Sequence, residues 1–297
     1  MGFKAGIYEN YGQYTCMGYP GTLKHVEKDA KQFIDWGFDM VKLDSCFYST
    51  SKLDRGFYEF GKELLKSDHK IAFSCSLAYY QVFVSQKLIV PNWKFISSIC
   101  NIFRVYHDIH ATWESILSTI DFMSDNQNIF KSITGPGSWP DPDMLMIGKP
   151  GINLLEAQTQ MALWCMFPAP LFMSNDPRNL SNNFKSILLN KDAIEINQDS
   201  LASPGERIFH NTTLDIWRRK LFNNQMAIVI LNRQLKEEII QVEIPFRDLA
   251  YEELYSVSKI KILNIFTGKI DYLQGENIKL KTSILNHGII FWRIISI

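Results

Sequence analysis

Several features that mark common classes of protein are scarce or absent in this sequence. It has no run of basic residues, and its 31 Lys and Arg residues are balanced by 31 Asp and Glu residues. A nucleic-acid-binding protein needs a basic surface for the phosphates. The longest apolar run, Met161 to Met173, is interrupted by Pro168 and Pro170 and is shorter than the roughly 20 residues that span a bilayer. We therefore expect small neutral partners, no nucleic acid and no membrane span.

The positions of the cysteines argue against a metal site with sulfur ligands. The five cysteines form no Cys-x-x-Cys pair and no cysteine–histidine cluster with the spacing of zinc ligands. We therefore expect no metal bound through sulfur. The N-terminal segment also lacks the apolar stretch and the small-residue cleavage site of a secretory signal peptide. Sequons at Asn179 and Asn211 nevertheless permit glycosylation, which weakly favours an oxidising compartment.

What the sequence does contain is a repeated βα pattern as far as about residue 200. At 46% hydrophobic residues, the chain can bury a large core. Strand-like segments alternate with helical ones, an order typical of a parallel sheet or barrel. The predicted strands are residues 3–10, 40–46, 71–75, 99–106, 132–139 and 169–175. The predicted helices are residues 23–37, 53–67, 109–127, 154–167 and 181–189, with Asn153 or Gly151 at the start of the fourth.

The pattern changes after about residue 205. Segments rich in β-branched residues, separated by polar turns, replace the βα alternation and indicate an all-β module. Residues 203–209, which contain a Pro-Gly turn signal, are the predicted linker. The sequence thus predicts an α/β barrel domain at residues 1–204 and an all-β domain at residues 205–297.

Polar residues close four successive predicted strands. In βα barrels the active site lies at the carboxyl ends of the strands, so these side chains are expected to share one rim. The residues are Lys42, Asp44, Ser74, Ser76, Arg104, Asp108 and the segment 137–144. A single strand-end Asp is more often a helix cap or a turn residue than a catalyst. The recurrence on successive strands favours an active site.

Asp44 and Asp108 are the candidate pair of catalytic carboxylates. They close the second and fourth predicted strands, which places their backbones about 10 Å apart. Side chains that lean inward could reach the roughly 5 to 5.5 Å of a retaining glycosidase, and the wider spacing of an inverting one stays open. Arg104 either orients a carboxylate or hydroxyl group or forms a salt bridge at the rim.

The Asp141-Pro-Asp143 motif has two interpretations. An Asp-x-Asp pair can hold a divalent metal under a nucleotide diphosphate, as in a glycosyltransferase. Here Pro140 and Pro142 make a stiff turn, and neither a second acidic cluster nor a phosphate-binding Gly-rich loop is present. A sugar-hydroxyl contact or a turn brace is favoured. Aromatic residues near the same rim suit stacking on a sugar; they are Tyr8, Tyr79, Tyr80, Tyr106 and Trp139.

Five segments, in this order, resemble glycoside hydrolase family 27, the animal lysosomal α-galactosidases and α-N-acetylgalactosaminidases. They are GIYENYGQYTCMGYPGT, DAKQFIDWGFDMVKLDSC, SITGPGSWPDPDMLMIG, QTQMALWCMFPAPLFMSND and EINQD. The resemblance implies a (β/α)8 barrel of the TIM type followed by a C-terminal antiparallel β-sandwich. It also implies hydrolysis, with retention and without a cofactor, of terminal α-linked galactose or N-acetylgalactosamine on glycoconjugates. A lysosomal or secreted location and a homodimer are further expectations from the family.

The resemblance also implies roles for individual residues. Asp44 corresponds to the nucleophile and Asp108 to the acid/base. The implied sugar contacts are Tyr8, Cys16, Lys42, Ser76, Tyr79, Tyr80, Arg104, Asp143 and Met144. The implied disulfides are Cys16 to Cys46 and Cys75 to Cys100, which leaves Cys165 unpaired.

The sequence departs from the family pattern at several positions. Ser45 replaces the usual Gly after the nucleophile, Val105 replaces an Asn, and Pro140 replaces an Asn. The first predicted strand corresponds to the third strand of the family. We therefore expect a barrel that lacks about its first two βα units, and the alternative to an active enzyme is an inactive truncated remnant or a sugar-binding homologue.

Two further positions bear on the choice of sugar. In the resembled family, Glu and Leu after the fifth strand select galactose, whereas Ser and Ala make room for a 2-acetamido group. Here the two positions hold Ser76 and Tyr79. Ser76 matches the N-acetylgalactosaminidase type, but the Tyr79 ring would fill the space of the acetamido methyl. The sequence therefore predicts a preference for α-galactosides.

Overall fold

The chain forms two compact units. The computed structural model describes residues 2–236, 238–255 and 257–297. The first unit comprises the residues up to His107 together with Ser132–Asp141, and the second comprises Asp108–Lys131 and Pro142–Ile297. Within the described ranges, no helix is both long enough and apolar enough to cross a membrane.

A parallel sheet of five strands forms the centre of the first unit. The strands are β1 (Gly6–Asn10), β2 (Met40–Asp44), β3 (Ala72–Cys75), β4 (Ile102–Arg104) and β5 (Trp139–Asp141). They lie side by side in chain order, and every neighbouring pair is parallel. This order is that of strands in a βα barrel wall. It confirms the predicted parallel βα architecture of this part of the chain.

Helices connect the first four of these strands. They are α1 (Val26–Asp35), α2 (Leu53–Leu64), α3 (Leu77–Tyr79) and α4 (Trp93–Ile99), with a 3-10 turn at Thr50–Lys52 and a π-helical turn at Tyr80–Val84. The chain leaves α1 through Gly37, whose φ of 76° is the left-handed conformation that glycine adopts without steric cost. The sequence predicts α1 and α2, but it does not predict the three short elements between Leu77 and Ile99.

The two faces of the parallel sheet differ in polarity because side chains alternate along each strand. One face is apolar: Phe73 of β3 packs against Phe57 and Phe60 of α2, with ring centroids 6.2 and 5.9 Å apart. Lys42 and Asp44 alternate with the buried Val41 and Leu43 and therefore project from the opposite face. That second face carries the candidate active-site residues.

The remaining helices follow β4 in the chain. They are α5 (Trp113–Asp125), α6 (Gln127–Ile133), α7 (Leu154–Met166), α8 (Asn182–Leu188), α9 (Lys191–Asn197) and α10 (Phe246–Leu249). Asn153 starts α7 with a capping box, in which its side chain accepts from the Glu156 amide and the Glu156 side chain accepts from the Asn153 amide. Of the two predicted starts of this helix, Asn153 is thereby confirmed.

Antiparallel sheets fill the C-terminal part of the second unit. Their strands are β6 (Glu206–His210), β7 (Leu214–Leu221), β8 (Gln225–Asn232), β9 (Ile240–Pro245), β10 (Lys259–Asn264), β11 (Ile270–Gln274), β12 (Lys279–Ile284) and β13 (Ile289–Ser296). Six form a sheet in the order β11-β10-β13-β8-β7-β6, and β12 pairs with β9. A shared core that includes Ile228, Ile260 and Leu280 packs the two sheets together. The predicted all-β character of this segment is confirmed.

Three predictions of local structure are wrong. The strand predicted at residues 169–175 is reduced to one isolated bridge between Met173 and Leu145, and Pro170 has no N–H to extend a ladder. The strand predicted at residues 132–139 begins only at Trp139, because α6 ends at Ile133 and a turn through Gly137, whose φ is 86°, intervenes. Much of the predicted linker at 203–209 belongs to strand β6.

Arg219 of β7 joins separate parts of the second unit. Its side chain is fully buried, and its guanidinium donates to the carbonyl oxygens of Ser203 at 2.7 Å and of Asn197 at 3.4 Å, and also to that of Cys165. Burial lowers the pKa of Arg219 to about 10. The side chain therefore stays protonated at neutral pH and holds the end of α7, the end of α9 and β7 together.

Candidate active site

The Asp44 carboxylate lies at the carboxyl end of β2 and accepts hydrogen bonds from side-chain hydroxyls and a backbone amide. The Tyr8 hydroxyl donates to Oδ2 at 2.9 Å, and the Ser76 hydroxyl donates to Oδ1 at 2.7 Å. The amide of Ser45 donates to Oδ1 at 3.2 Å. The orientation of this carboxylate is fixed by donors from three places: β1, the segment after β3, and the backbone directly after β2.

Tyr80 lies beside the same carboxylate. The ring is buried, and its hydroxyl oxygen is 3.0 Å from the Cys46 sulfur and 3.7 Å from the Cys16 sulfur. Burial, and then the nearby charge of Asp44, raises the pKa of the Tyr80 phenol well above its ordinary value. The phenol therefore stays protonated and is available as a hydrogen-bond donor.

A disulfide borders this group. Cys16 and Cys46 are bonded, with Cα atoms 5.2 Å apart, and the Cys16 sulfur lies 3.9 Å from Asp44 Oδ2. The bond joins the loop after β1 to the end of β2. A second, buried disulfide joins Cys75 at the end of β3 to Cys100 after α4. The structure thus contains both disulfides that the resemblance implied.

Asn10, which no motif in the sequence marks, organises the loops around Asp44. It is fully buried at the end of β1, in register with Asp44. Its side-chain amide donates to the carbonyl oxygens of Tyr14 at 2.8 Å and Cys46 at 3.0 Å, and its Oδ1 accepts from the Cys46 amide at 2.6 Å. The available signal was its type: a polar residue closing a strand, as in the strands that follow.

Lys42 and Arg104 extend the polar face of the sheet. Lys42 is half-buried, and its register partners are Tyr8 on β1 and Ser74 on β3. Arg104 is buried at the end of β4, where its Nη2 donates to the Tyr106 carbonyl oxygen at 3.2 Å. Two cationic side chains therefore belong to the same sheet as the Asp44 carboxylate.

In the second unit, Asp143 holds the segment that carries Asp108. Asp143 is buried with a φ of 82°, and its Oδ2 accepts from the Ile109 amide at 2.9 Å. Its Oδ1 accepts from the Met144 amide at 2.8 Å, and its carbonyl oxygen accepts from Trp164 Nε1 at 2.7 Å. These bonds brace the local turn, and the predicted sugar contact of Asp143 stays a prediction. Asp108, the residue before Ile109, is exposed.

Comparison with known proteins identifies the family to which this constellation belongs. The sequence profile Melibiase_2, described as alpha galactosidase A, matches residues 1–199. The chain belongs to this glycosidase family. Mouse alpha-N-acetylgalactosaminidase is 37% identical over 297 residues, which cover 98% of this chain and 69% of that protein. Human alpha-galactosidase A is 40% identical over 234 residues, which cover 78% of this chain and 54% of that protein.

A solved structure shows the same fold. The alpha-galactosidase of Saccharomyces cerevisiae, determined with raffinose, superposes with a TM-score of 0.84 at 20% identity, covering 99% of this chain and 80% of that chain. At this identity, the likeness concerns the fold alone. The shared fold combines a parallel βα sheet with antiparallel β-sheets.

The predicted site residues are divided between the two units. Around Asp44 the structure collects Tyr8, Cys16, Ser76 and Tyr80, whereas Asp108, Asp143 and Met144 belong to the second unit. The pairing of Asp44 with Asp108 stays a prediction. Over the ranges that the structure describes, no group of three or more His, Cys, Asp or Glu side chains has a metal-binding arrangement.

Proposed function

We propose that this chain is a retaining glycoside hydrolase that removes terminal α-linked galactose or N-acetylgalactosamine from glycoconjugates. Asp44 is the nucleophile and Asp108 the acid/base. The observation that carries the proposal is the Asp44 carboxylate, which closes a strand of the parallel sheet and is oriented by hydrogen bonds from Tyr8 and Ser76. Membership of a glycosidase family gives that carboxylate its chemical context.

The first step forms a glycosyl-enzyme ester. An Asp44 oxygen attacks the anomeric carbon, and the bond between that carbon and the leaving oxygen breaks, with its electron pair passing to oxygen. Asp108 donates a proton to this oxygen. A carboxylate already held by Tyr8 and Ser76 needs little reorientation before the attack, which lowers the entropic part of the activation free energy.

The second step releases the sugar. The Asp108 carboxylate takes a proton from water, the water oxygen bonds to the anomeric carbon, and the ester bond to Asp44 breaks. Two displacements at one carbon restore its original configuration. Lys42 and Arg104, on the same sheet, supply positive charge and donors for sugar hydroxyls.

The same proposal includes the cellular location, the domain boundaries and the oligomeric state of the enzyme. Two disulfides are expected where thiols are oxidised, which supports a lysosomal or secreted location. We place the barrel domain at residues 1–204 and the β domain at 205–297, and we include the homodimer that the resemblance implies. Size-exclusion chromatography with light scattering measures the oligomeric state.

The decisive experiment measures substrate turnover and traps the covalent glycosyl-enzyme intermediate. The chain is incubated with 4-nitrophenyl α-galactoside and its N-acetylgalactosaminide counterpart, and then with 2-fluoro glycosides that trap the ester. We expect a sugar adduct on Asp44, and no turnover by Asp44→Asn. Asp39→Asn, at the opposite end of β2, is the matched control and keeps its activity. An adduct on a different residue refutes the assignment, and sugar binding without turnover supports the sugar-binding alternative.

A further inference from the structure

The sequon at Asn211 lies in the loop that joins strands β6 and β7 of the second unit. Residues 211–213 form this loop, and Asn211 is exposed. The side-chain oxygen of Asn211 accepts from the amides of Thr213 and Leu214, both at 2.8 Å. This arrangement is an Asx turn, in which the side chain of asparagine takes the part of a backbone group. The turn holds Asn211 at the tip of the hairpin.

The turn leaves the reactive atom of the sequon accessible. The amide oxygen of Asn211 accepts both hydrogen bonds, and its nitrogen Nδ2 donates none to the residues that the structure describes. The Thr213 hydroxyl has no hydrogen-bond partner among the same residues. All bonds of the turn lie between positions 211 and 214, so it can form before the sheet is assembled. The sequon therefore presents a free amide nitrogen both early in folding and in the folded chain.

The second sequon, at Asn179, has a different local structure. Asn179 ends a 3-10 turn, Pro177–Asn179, and within the described ranges its side chain accepts no hydrogen bond from the Ser181 amide. Leu180, the middle residue of this sequon, is buried and packs against Gly148. The folded chain therefore fixes this sequon in a conformation other than an Asx turn. The two sequons are not equivalent acceptors.

Asn211 also follows the uncovered end of an edge strand. β6 is the last strand of the six-stranded sheet, with β7 as its neighbour. Gln127 of α6 covers the other end of β6, because it accepts from the Arg207 amide at 2.7 Å and donates to the Arg207 carbonyl oxygen at 3.4 Å. Across the described part of the chain, no backbone group outside β7 bonds to the backbone of Phe209 or His210, and Phe209 is 45% exposed. Such an edge is a template for pairing with another chain.

We propose that Asn211 carries an N-linked glycan that covers this end of β6, and that Asn179 is unmodified. The donor is a lipid pyrophosphate that carries an oligosaccharide. Nδ2 of Asn211 bonds to C1 of the first sugar and loses a proton, while the bond from C1 to the pyrophosphate oxygen breaks and leaves its electron pair on that oxygen. A bulky, solubilising glycan next to Phe209 blocks the approach of a second strand. The inference rests on the lysosomal or secreted location proposed above, because N-linked acceptors lie in surface loops of secreted proteins.

The first measurement tests the site and depends neither on turnover nor on the natural location. The chain is given an added secretory signal sequence and translated with microsomes, and protection from added protease shows that it has entered them. Gel mobility before and after endoglycosidase H counts the glycans. We expect one glycan, which is lost in Asn211→Gln and in Thr213→Ala and kept in Thr213→Ser and in the matched control Asn179→Gln. A protected chain without a glycan on Asn211, or with its glycan on Asn179, overturns the site and leaves the proposed function standing.

The second measurement tests the role of the glycan at the edge. Thr213→Ala is the glycan-free variant, because it keeps the side-chain oxygen of Asn211 and both backbone amides of the Asx turn. Microsomes are lysed, and centrifugation gives the fraction of chain that pellets. We expect this fraction to rise in Thr213→Ala, to stay at the parent level in Thr213→Ser, and to return to that level when Phe209→Lys adds a charge to the edge. An equal fraction in Thr213→Ala and the parent chain, or a rise that persists with Phe209→Lys, overturns the role at the edge.

Discussion

The Ser76 hydroxyl lies between two acceptors, 2.7 Å from Oδ1 of Asp44 and 3.0 Å from the carbonyl oxygen of Leu43. A hydroxyl carries one hydrogen, so it can donate to only one of them at a time. A free carboxylate is a stronger acceptor than the ester that the proposed mechanism forms on Asp44. Ser76 is therefore expected to orient the free nucleophile and to donate to Leu43 in the intermediate.

The first prediction concerns this positioning role. Ser76→Ala should lower the turnover number about fivefold, since a hydrogen bond of this kind contributes on the order of 1 kcal/mol. The Michaelis constant should change less than the turnover number, because the hydroxyl donates to the carboxylate that attacks the sugar in the proposed mechanism. Ser74→Ala is the matched control: Ser74 is equally buried, and its hydroxyl has no hydrogen-bond partner among the described residues. Equal turnover numbers for Ser76→Ala and the parent chain would refute this role.

The second prediction concerns the choice of sugar. Tyr79 is packed against Tyr80, Phe83 and His107, which hold its ring in place. We predict that this ring fills the space that an acetamido methyl would need. We expect the chain to prefer α-galactosides. Tyr79→Ala should raise kcat/KM for the α-N-acetylgalactosaminide relative to the galactoside about tenfold, the usual effect of relieving one steric conflict in a pocket.

Tyr79→Phe serves as the control for this prediction, because it keeps the ring and removes only the hydroxyl. Its ratio of the two kcat/KM values should equal that of the parent chain. A parent chain that already prefers the acetamido sugar would show that Ser76, and not Tyr79, decides the specificity.

The position of Asp44 could be predicted from the sequence because its causes are local. Val41 and Leu43 are buried, the period of two puts Lys42 and Asp44 on the other face, and the strand ends at Asp44. Its partners come from the two neighbouring strands: Tyr8 lies within β1, and Ser76 directly follows β3.

The partners of other residues could not be predicted from the sequence. Asn10 and Arg219 bind backbone carbonyl oxygens, which every residue possesses, so no side-chain pattern reveals the partner. The segment after Ser76 is rich in aromatic and β-branched residues, which favour strands, yet it forms α3 and a π-helical turn. There, tertiary contacts among the aromatic rings outweigh the intrinsic preference of the residues.

The third prediction concerns the cysteines. Cys165 is the free thiol, it is fully buried on α7, and burial raises its pKa to about 12. Because thiolates are the reactive form, iodoacetamide should label no cysteine in the native chain at pH 8. Unfolding in urea without reductant should expose Cys165 alone, and reduction should then expose the other four. Peptide mass mapping distinguishes these states, and native labelling of Cys16 or Cys75 would contradict the disulfides.

The final prediction concerns Arg219. Its buried guanidinium is bonded to carbonyl oxygens rather than to a carboxylate, so Arg219→Met removes the donors and leaves the carbonyls of Ser203 and Asn197 without them. Uncompensated buried acceptors cost about 1–3 kcal/mol each, and we expect the free energy of unfolding to fall by about 3 kcal/mol in total. Lys220→Met is the matched control, since Lys220 is the next residue of β7 and forms an exposed ion pair with Glu253; its effect should be much smaller.

The loss in Arg219→Met should not depend on pH between 5 and 8. Folding lowers the pKa of Arg219 from its ordinary value to about 10, so the group is protonated in both states throughout this range. Between about pH 10 and the ordinary pKa of arginine, the unfolded chain binds more protons than the folded chain. In this range the free energy of unfolding of the parent chain should therefore rise with pH relative to that of Arg219→Met. Urea unfolding at about pH 6, 8 and 10.5 measures this dependence. A stability of Arg219→Met equal to that of the parent chain at the lowest pH would show that the burial cost of the guanidinium cancels its three hydrogen bonds.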